Sequence, residues 1–239
     1  MKQIGIIGDV HAEDLRLRVA LDFLRESEVD AILCTGDLPD GRGDLDMCCQ
    51  LLQAHGVMTV AGNHERWFLQ DKVRHVADAH LRCHASSETV AYLSGLPQTH
   101  HIDTVDGELL LCHGILDDDL AKIWPGSEKS ASRCSAPLDK LLQQDAPPRF
   151  LINGHMHFRT VIDFPKTQVI NGGTLKGQFA GFSLLDIEAQ CIHSFNFTGD
   201  QQVEAAGTLD LASRQDRRVW QSTGEFDGEI GRASCRERV

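Results

Sequence analysis

Three times within the first 65 residues, a short apolar run stops at a glycine beside polar residues. Ile4 to Ile7 ends in Gly8-Asp9-Val10-His11, Ala31 to Cys34 in Thr35-Gly36-Asp37, and Val57 to Ala61 in Gly62-Asn63-His64-Glu65. Apolar runs this short, bounded by turn residues, read as buried parallel strands. Leu15, Val19, Leu21, Phe23 and Leu24 recur at near-helical spacing between the first two, and a second helix is expected from about Asp44 to Ala54. Strand alternating with helix predicts an α/β sheet, whose ligand crevice lies just outside the carboxyl ends of the strands. The three polar clusters therefore converge on one edge.

The second half is richer in strands. His100 to Val105 and Glu108 to Cys112 flank Asp106-Gly107, a hairpin signal, and the second run ends in His113-Gly114. A helical segment covers about Ala136 to Gln144. Phe150 to Asn153 then reads as a strand ending in Gly154-His155-Met156-His157. Val161 to Phe164, Gln168 to Asn171, Phe182 to Ile187 and Cys191 to Phe197 form an antiparallel-looking tail. Residues 1–197 read as one domain. Residues 198–228 read as a polar C-terminal extension in which Leu209, Leu211 and Trp220 have surface to dock. Residues 229–239 are basic, unlike the rest, and resemble a translated adaptor rather than native sequence.

The formal net charge of −12 does not draw in nucleic acid or an anionic membrane over a broad surface. No apolar run approaches the roughly 18–20 residues of a membrane span, and no secretory leader is visible. The 8 cysteines contain no C-x-x-C pair, so a reduced, cytoplasmic thiol set is expected.

Asp9, His11, Asp37, Asn63, His113, His155 and His157 all follow expected strands and are all of metal-ligand type. Carboxylates and imidazoles at strand ends cost several kcal/mol to bury unless they are paired or metallated. In D-x-H and H-x-H on extended chain, residues i and i+2 point the same way and can reach one ion. A mixed oxygen and nitrogen set suits Mn²⁺, Fe or Zn²⁺ better than Ca²⁺ or Mg²⁺. Seven ligands exceed what one ion takes, so two divalent ions sharing a carboxylate is the economical solution. Arg42 and Arg66 lie beside the ligand loops, where they could clamp a phosphate. The stretch from Ile115 to Cys134 is a candidate substrate-facing loop. His75, His80, Cys83 and His84 match no zinc-finger spacing and read as surface or helix-packing residues.

The ordered set D-x-H, GD, GNHE, HG and GHxH resembles the calcineurin-like metallophosphoesterase superfamily, over residues 1 to about 190. The resemblance implies a four-layer αββα sandwich of two mixed sheets flanked by helices. It implies that Asp9, His11 and His157 bind one metal, that Asn63, His113 and His155 bind a second, and that Asp37 bridges them. The cofactor would be two divalent ions, manganese (Mn²⁺) ahead of Fe, Zn²⁺ or Ni²⁺. A shared hydroxide would attack phosphorus in line. His64, not a ligand, would donate a proton to the leaving oxygen, and Asp40 would orient it.

The compact domain and Asn171-Gly172-Gly173 look like the small bacterial phosphodiesterases. The arginine that phosphatases of the family place directly after the GDxxD acid is displaced here by one residue, to Arg42. A phosphodiesterase acting on a small phosphoester is therefore expected, without nucleic-acid or membrane partners. The alternatives are a phosphomonoesterase or protein phosphatase, a dinucleoside polyphosphatase, and a catalytically silent scaffold. The complete set of seven ligands weighs against the last.

Overall fold

The computed structural model describes residues 1–215 and 217–228; the adaptor-like stretch 229–239 lies outside the described residues. The first half runs β1 (Gln3–Ile7), α1 (Asp14–Glu26), β2 (Ala31–Cys34), α2 (Leu45–Ala54), β3 (Met58–Thr59), α3 (Asn63–Leu69) and α4 (Ser87–Gly95). Next come β4 (Thr99–Thr104), β5 (Gly107–Cys112), α5 (Ala136–Leu142), β6 (Phe150–Asn153), β7 (Arg159–Asp163) and β8 (Gln168–Gly172). The chain closes with β9 (Gly181–Asp186), β10 (Cys191–Phe197) and β11 (Val203–Asp210).

Two mixed sheets result. One has the order β11-β10-β9-β1-β2-β3, the other β4-β5-β6-β8-β7. Strands β1, β2 and β3 are parallel, and β1 pairs antiparallel with β9. Alternation along each strand decides which layer a side chain enters. Ile4 and Ile6 of β1 point between the sheets, meeting Leu109, Leu111, Phe150 and Ile152. Ile7 and Cys34 point the other way, onto Leu17, Leu21 and Leu24 of α1 and Cys48 and Leu52 of α2. Leu110, Leu151 and Val169 face outward from the second sheet, beneath Leu138 of α5. Helix, sheet, sheet, helix is the expected four-layer sandwich. Each fully buried leucine in these layers contributes about 2 kcal/mol through apolar area removed from water. Among the described residues, no helix is long and apolar enough to cross a membrane.

Two stretches depart from the sequence reading. The third strand is only Met58–Thr59, because the chain peels away from β2 and Ala61 N–H donates to Pro97 O (2.8 Å). That departure aims the start of α3 at the sheet edge. The polar segment after Thr198 docks through Leu209, Leu211 and Trp220, and it also adds a strand that the sequence reading did not foresee. β11 pairs antiparallel with β10 at the sheet edge, and Leu211 enters the inter-sheet core. Beyond it, Trp220 and Phe226 pack on Leu138, Ile162 and Phe164 of the outer layer. β11 is exposed along most of its length, so backbone pairing forms it, and no hydrophobic alternation marks it in the sequence.

Candidate metal centre

Asp9 and His11 follow β1, and Asp37 follows β2. The two loops are zipped together by His11 N–H to Asp37 O (2.8 Å) and Ala12 N–H to Leu38 O (2.7 Å). Asn63 opens α3, His113 follows β5, and His155 and His157 follow β6. Glycines let these loops close in. A Cβ on Gly62 would strike Asp37 Oδ1 and His113 Nδ1, and one on Gly154 would strike Asp9 Oδ1 and Thr35 Oγ1.

The side chains converge in two groups. Ligand atoms of Asp9, His11, Asp37 and His157 lie within 4.8 Å of one another, as do those of Asp37, His113 and His155. Asp37 belongs to both. The Asn63 amide joins the second group, with Oδ1 3.1 Å from His113 Nε2 and 2.9 Å from His155 Nδ1.

Neighbouring groups set the imidazole tautomers. His11 Nδ1 faces Pro39 O at 3.1 Å, and His113 Nδ1 faces Thr35 O at 2.7 Å, so each carries a proton on Nδ1 and turns Nε2 inward. His11 Nε2 then meets His157 Nε2 at 3.1 Å, and His113 Nε2 lies 3.4 Å from Asp37 Oδ2. His157 Nε2 also lies 3.3 Å from Asp9 Oδ2, so imidazole nitrogens and carboxylate oxygens converge on each group. A cation is what such a donor set fits. An inward amide N–H at Asn63 would donate to His113 Nε2 and His155 Nδ1 in the second group and would leave the first group as it is.

The electrostatics agree with that reading. Burial pushes the Asp9 carboxyl up to about 7, against the pull of His113. Burial likewise drives His11 down to about 3, and burial together with His113 takes His155 down to about 4. Burial opposes charge on His113 too, but Asp37 outweighs it and lifts that imidazole to about 10. For Asp37, burial is outweighed by His113, His64 and His11, which hold its carboxyl well below the usual range. Without a metal, a proton on His113 is the stand-in positive charge of the centre.

His64 lies beside this centre. Its Nδ1 is 2.7 Å from Asp40 Oδ2, its Nε2 is 3.8 Å from Asp37 Oδ2, and its ring contacts His11 and Trp67. Burial would raise the Asp40 carboxyl, but the hydrogen bond from His64 and the His80 N–H outweigh it and hold it low.

The two arginines fare differently. Arg66 is held by Asp119 through two hydrogen bonds, Nε at 2.7 Å and Nη2 at 2.8 Å, so its guanidinium staples the loop after His113 to α3. Arg42 is exposed and lines a cavity of about 640 Å³ with Asp78 and His80.

Several positioning groups escaped the sequence reading. Glu65, fully buried, accepts from Asp37 N–H (3.0 Å), Leu38 N–H and Gly62 N–H, tying the Asp37 loop to the start of α3. Thr35 Oγ1 donates to Asp9 Oδ1 at 2.8 Å, and Asn171 Nδ2 donates to Gly154 O. An acid three residues into a helix is the one advance signal, and it points to Glu65.

The family model for the calcineurin-like phosphoesterase superfamily domain matches residues 1–190. The chain belongs to this superfamily. It is a metal-dependent phosphoester hydrolase. No curated protein matches the chain. Among solved structures, it is similar to a metallophosphoesterase from Sphaerobacter thermophilus, with 21% identity, 82% of this chain and 88% of that one covered, and a TM-score of 0.59. It is similar to the phosphoesterase Yfce from E. coli, with 15% identity, 87% and 99% coverage, and a TM-score of 0.54. A third similar structure is an archaeal phosphodiesterase, with 14% identity, 82% and 99% coverage, and a TM-score of 0.50. At these identities the likeness is one of fold.

Proposed function

We propose that the chain hydrolyses a small phosphodiester with two divalent ions, Mn²⁺ foremost. The observation that carries the reading is the pair of donor groups sharing Asp37, with the His64–Asp40 pair beside them. In it, Asp9, His11 and His157 would hold one ion, Asn63, His113 and His155 would hold the other, and Asp37 would serve both. Bound ions would supply a hydroxide nucleophile at neutral pH and neutralise charge on the phosphoryl oxygens. Asp40 keeps the proton of His64 Nδ1 bonded, so Nε2 is the nitrogen left to protonate the departing oxygen. Thr35, His155 N–H and Glu65 hold the acidic loops still, so little reorganisation accompanies reaction.

The diester preference draws on the arginines. With Arg66 committed to Asp119, the fixed cationic grip that suits a dianionic monoester is reduced, whereas a diester carries a single charge. Arg42 remains as a contact to the substrate beyond the ions. The His64–Asp40 pair also favours a second reading, phosphomonoesters or dinucleoside polyphosphates, whose leaving groups need a proton as well. The seven described cysteines are free thiols, four of them buried, which supports a reducing, cytoplasmic setting.

Metal-stripped protein given Mn²⁺ is expected to cleave bis(p-nitrophenyl) phosphate faster than p-nitrophenyl phosphate. The reverse ratio favours the second reading. No turnover of either ester, with two ions bound, sinks both.

A further inference from the structure

His80 has a setting that its sequence neighbourhood does not suggest. Its backbone N–H donates to Asp40 Oδ1 at 2.9 Å, and the Asp40 backbone N–H donates back to His80 Nδ1 at 3.0 Å. The other oxygen of the same carboxylate, Oδ2, takes the His64 Nδ1 proton at 2.7 Å. One carboxylate is thus divided between a clasp and an imidazole. Asp40 itself stands at φ 69°, in left-handed backbone that a non-glycine residue adopts only when its surroundings hold it there. The restraints are the two-way clasp and Lys176, whose Nζ donates to Asp40 O at 3.0 Å and pairs with Asp78 at 2.6 Å. Asp78 lies two residues before His80, so the segment reaches Asp40 directly through His80 and indirectly by holding Lys176.

We propose that His80 is a positioning residue for proton donation, acting through Asp40 on His64. By accepting the Asp40 amide proton on Nδ1, the His80 ring holds residue 40 in its unusual backbone state. That state aims Oδ2 at His64 Nδ1 and keeps His64 Nε2 turned toward the reacting phosphoester. The clasp comes from a segment 40 residues downstream, at the same helix-free turn that lines the 640 Å³ cavity. His80 is half-buried against that cavity rather than packed in the core, so truncating it leaves no closed void. The inference rests on the reading of His64 as the proton donor.

The test compares Mn²⁺-loaded wild type, His80→Ala, His80→Asn and His64→Ala on bis(p-nitrophenyl) phosphate and on diphenyl phosphate, whose leaving group needs the proton more. His80→Ala is expected to lose about 10-fold in kcat on diphenyl phosphate with KM held, and about twofold at most on the nitrophenyl ester. Asparagine offers an oxygen to the Asp40 amide, so His80→Asn is expected to recover most of the loss. His64→Ala marks the limit of the effect. A second readout needs no turnover: in metal-free protein, the low-field proton resonance of His64 Nδ1–H is expected to vanish in His80→Ala and return in His80→Asn. Equal losses on both esters without asparagine rescue, or an unchanged leaving-group dependence with an unchanged resonance, overturns the proposal. A wild type that hydrolyses neither ester instead removes the functional reading, and the resonance then decides the clasp alone.

Discussion

Two clusters of buried acid in this molecule are built on opposite plans. Asp163, at the end of β7, is fully buried and is answered by the protein's own donors. Gln168 Nε2 reaches it at 2.7 Å, Arg217 Nε at 2.5 Å, and Arg214 Nε lies 3.5 Å away. Asp9 and Asp37 are equally buried and accept neutral donors, Thr35 Oγ1 and the His155 N–H at Asp9 and the His64 N–H at Asp37, but among the described residues no arginine or lysine pairs with either. At Asp163 the chain completes its own charge balance, and the result is a strap that fastens the C-terminal segment to the second sheet. At Asp37 the chain leaves positive charge to be supplied from outside. Burial alone does not distinguish a structural acid from a ligand; whether a fixed cation of the chain answers the charge does.

Backbone strain divides the same way. His11, Ala12, Asp37, Asp40, His155 and His157 all have positive φ, and all lie at the centre or in the loops that carry it. The residues around Asp163 show none of this. Non-glycine residues in left-handed backbone cost of order 1 kcal/mol or more each, so the centre is held by its hydrogen bonds against local preference.

The sharpest way to break the contrast is a matched pair of amides. Asp37→Asn is expected to abolish turnover and, in a thermal melt, the Mn²⁺-induced rise in Tm, because both donor groups lose their shared oxygen. That rise corresponds to about 4 kcal/mol in wild type at a thousandfold excess over Kd. Asp163→Asn is expected to keep turnover and the Mn²⁺ response at low temperature. It should lose about 3 kcal/mol of stability by stranding Arg217, a drop in Tm of roughly 6–12 °C by differential scanning calorimetry. Comparable effects of the two variants on turnover would erase the distinction.

A smaller effect is expected from pH. His113 titrates at about 10 in the folded, metal-free protein against 6.5 for an ordinary histidine. A raised folded pKa gives stability that is present below 6.5 and is lost as pH rises through about 10. Metal-free protein should therefore show Tm falling from pH 7 to pH 10, and saturating Mn²⁺ should flatten the fall, because the ion replaces the proton. An equal slope with and without metal would count against His113 as a ligand.

The strand ends were legible in the sequence because a buried parallel strand is a continuous apolar run, and the polar residue that stops it has to have a purpose. The seven candidate ligands could be named from that pattern and its order, His64 and Asp40 from the resemblance to the superfamily, and the structure brings these side chains together in space. The hairpin and the amphipathic helix α1 were legible for the same reason: their periodicity is local. Asp44, which caps α2 through Met47 N–H, marked that helix start in the same way.

What only the tertiary structure decided depends on contacts between segments far apart in the chain. Arg66 sits beside GNH, but its guanidinium is paired with Asp119, 53 residues on. His80 looked like one of several stray histidines until Asp40 was placed against it. β11 has no hydrophobic alternation, since an exposed edge strand is held by the backbone hydrogen bonds of its neighbour. The sequence by itself determined which residues are chemically able to hold metal and which strands carry them, because burial and periodicity are properties of a few consecutive residues. Which charges are answered by protein and which wait for an ion follows from long-range pairing, and that is decided only when the sheets close.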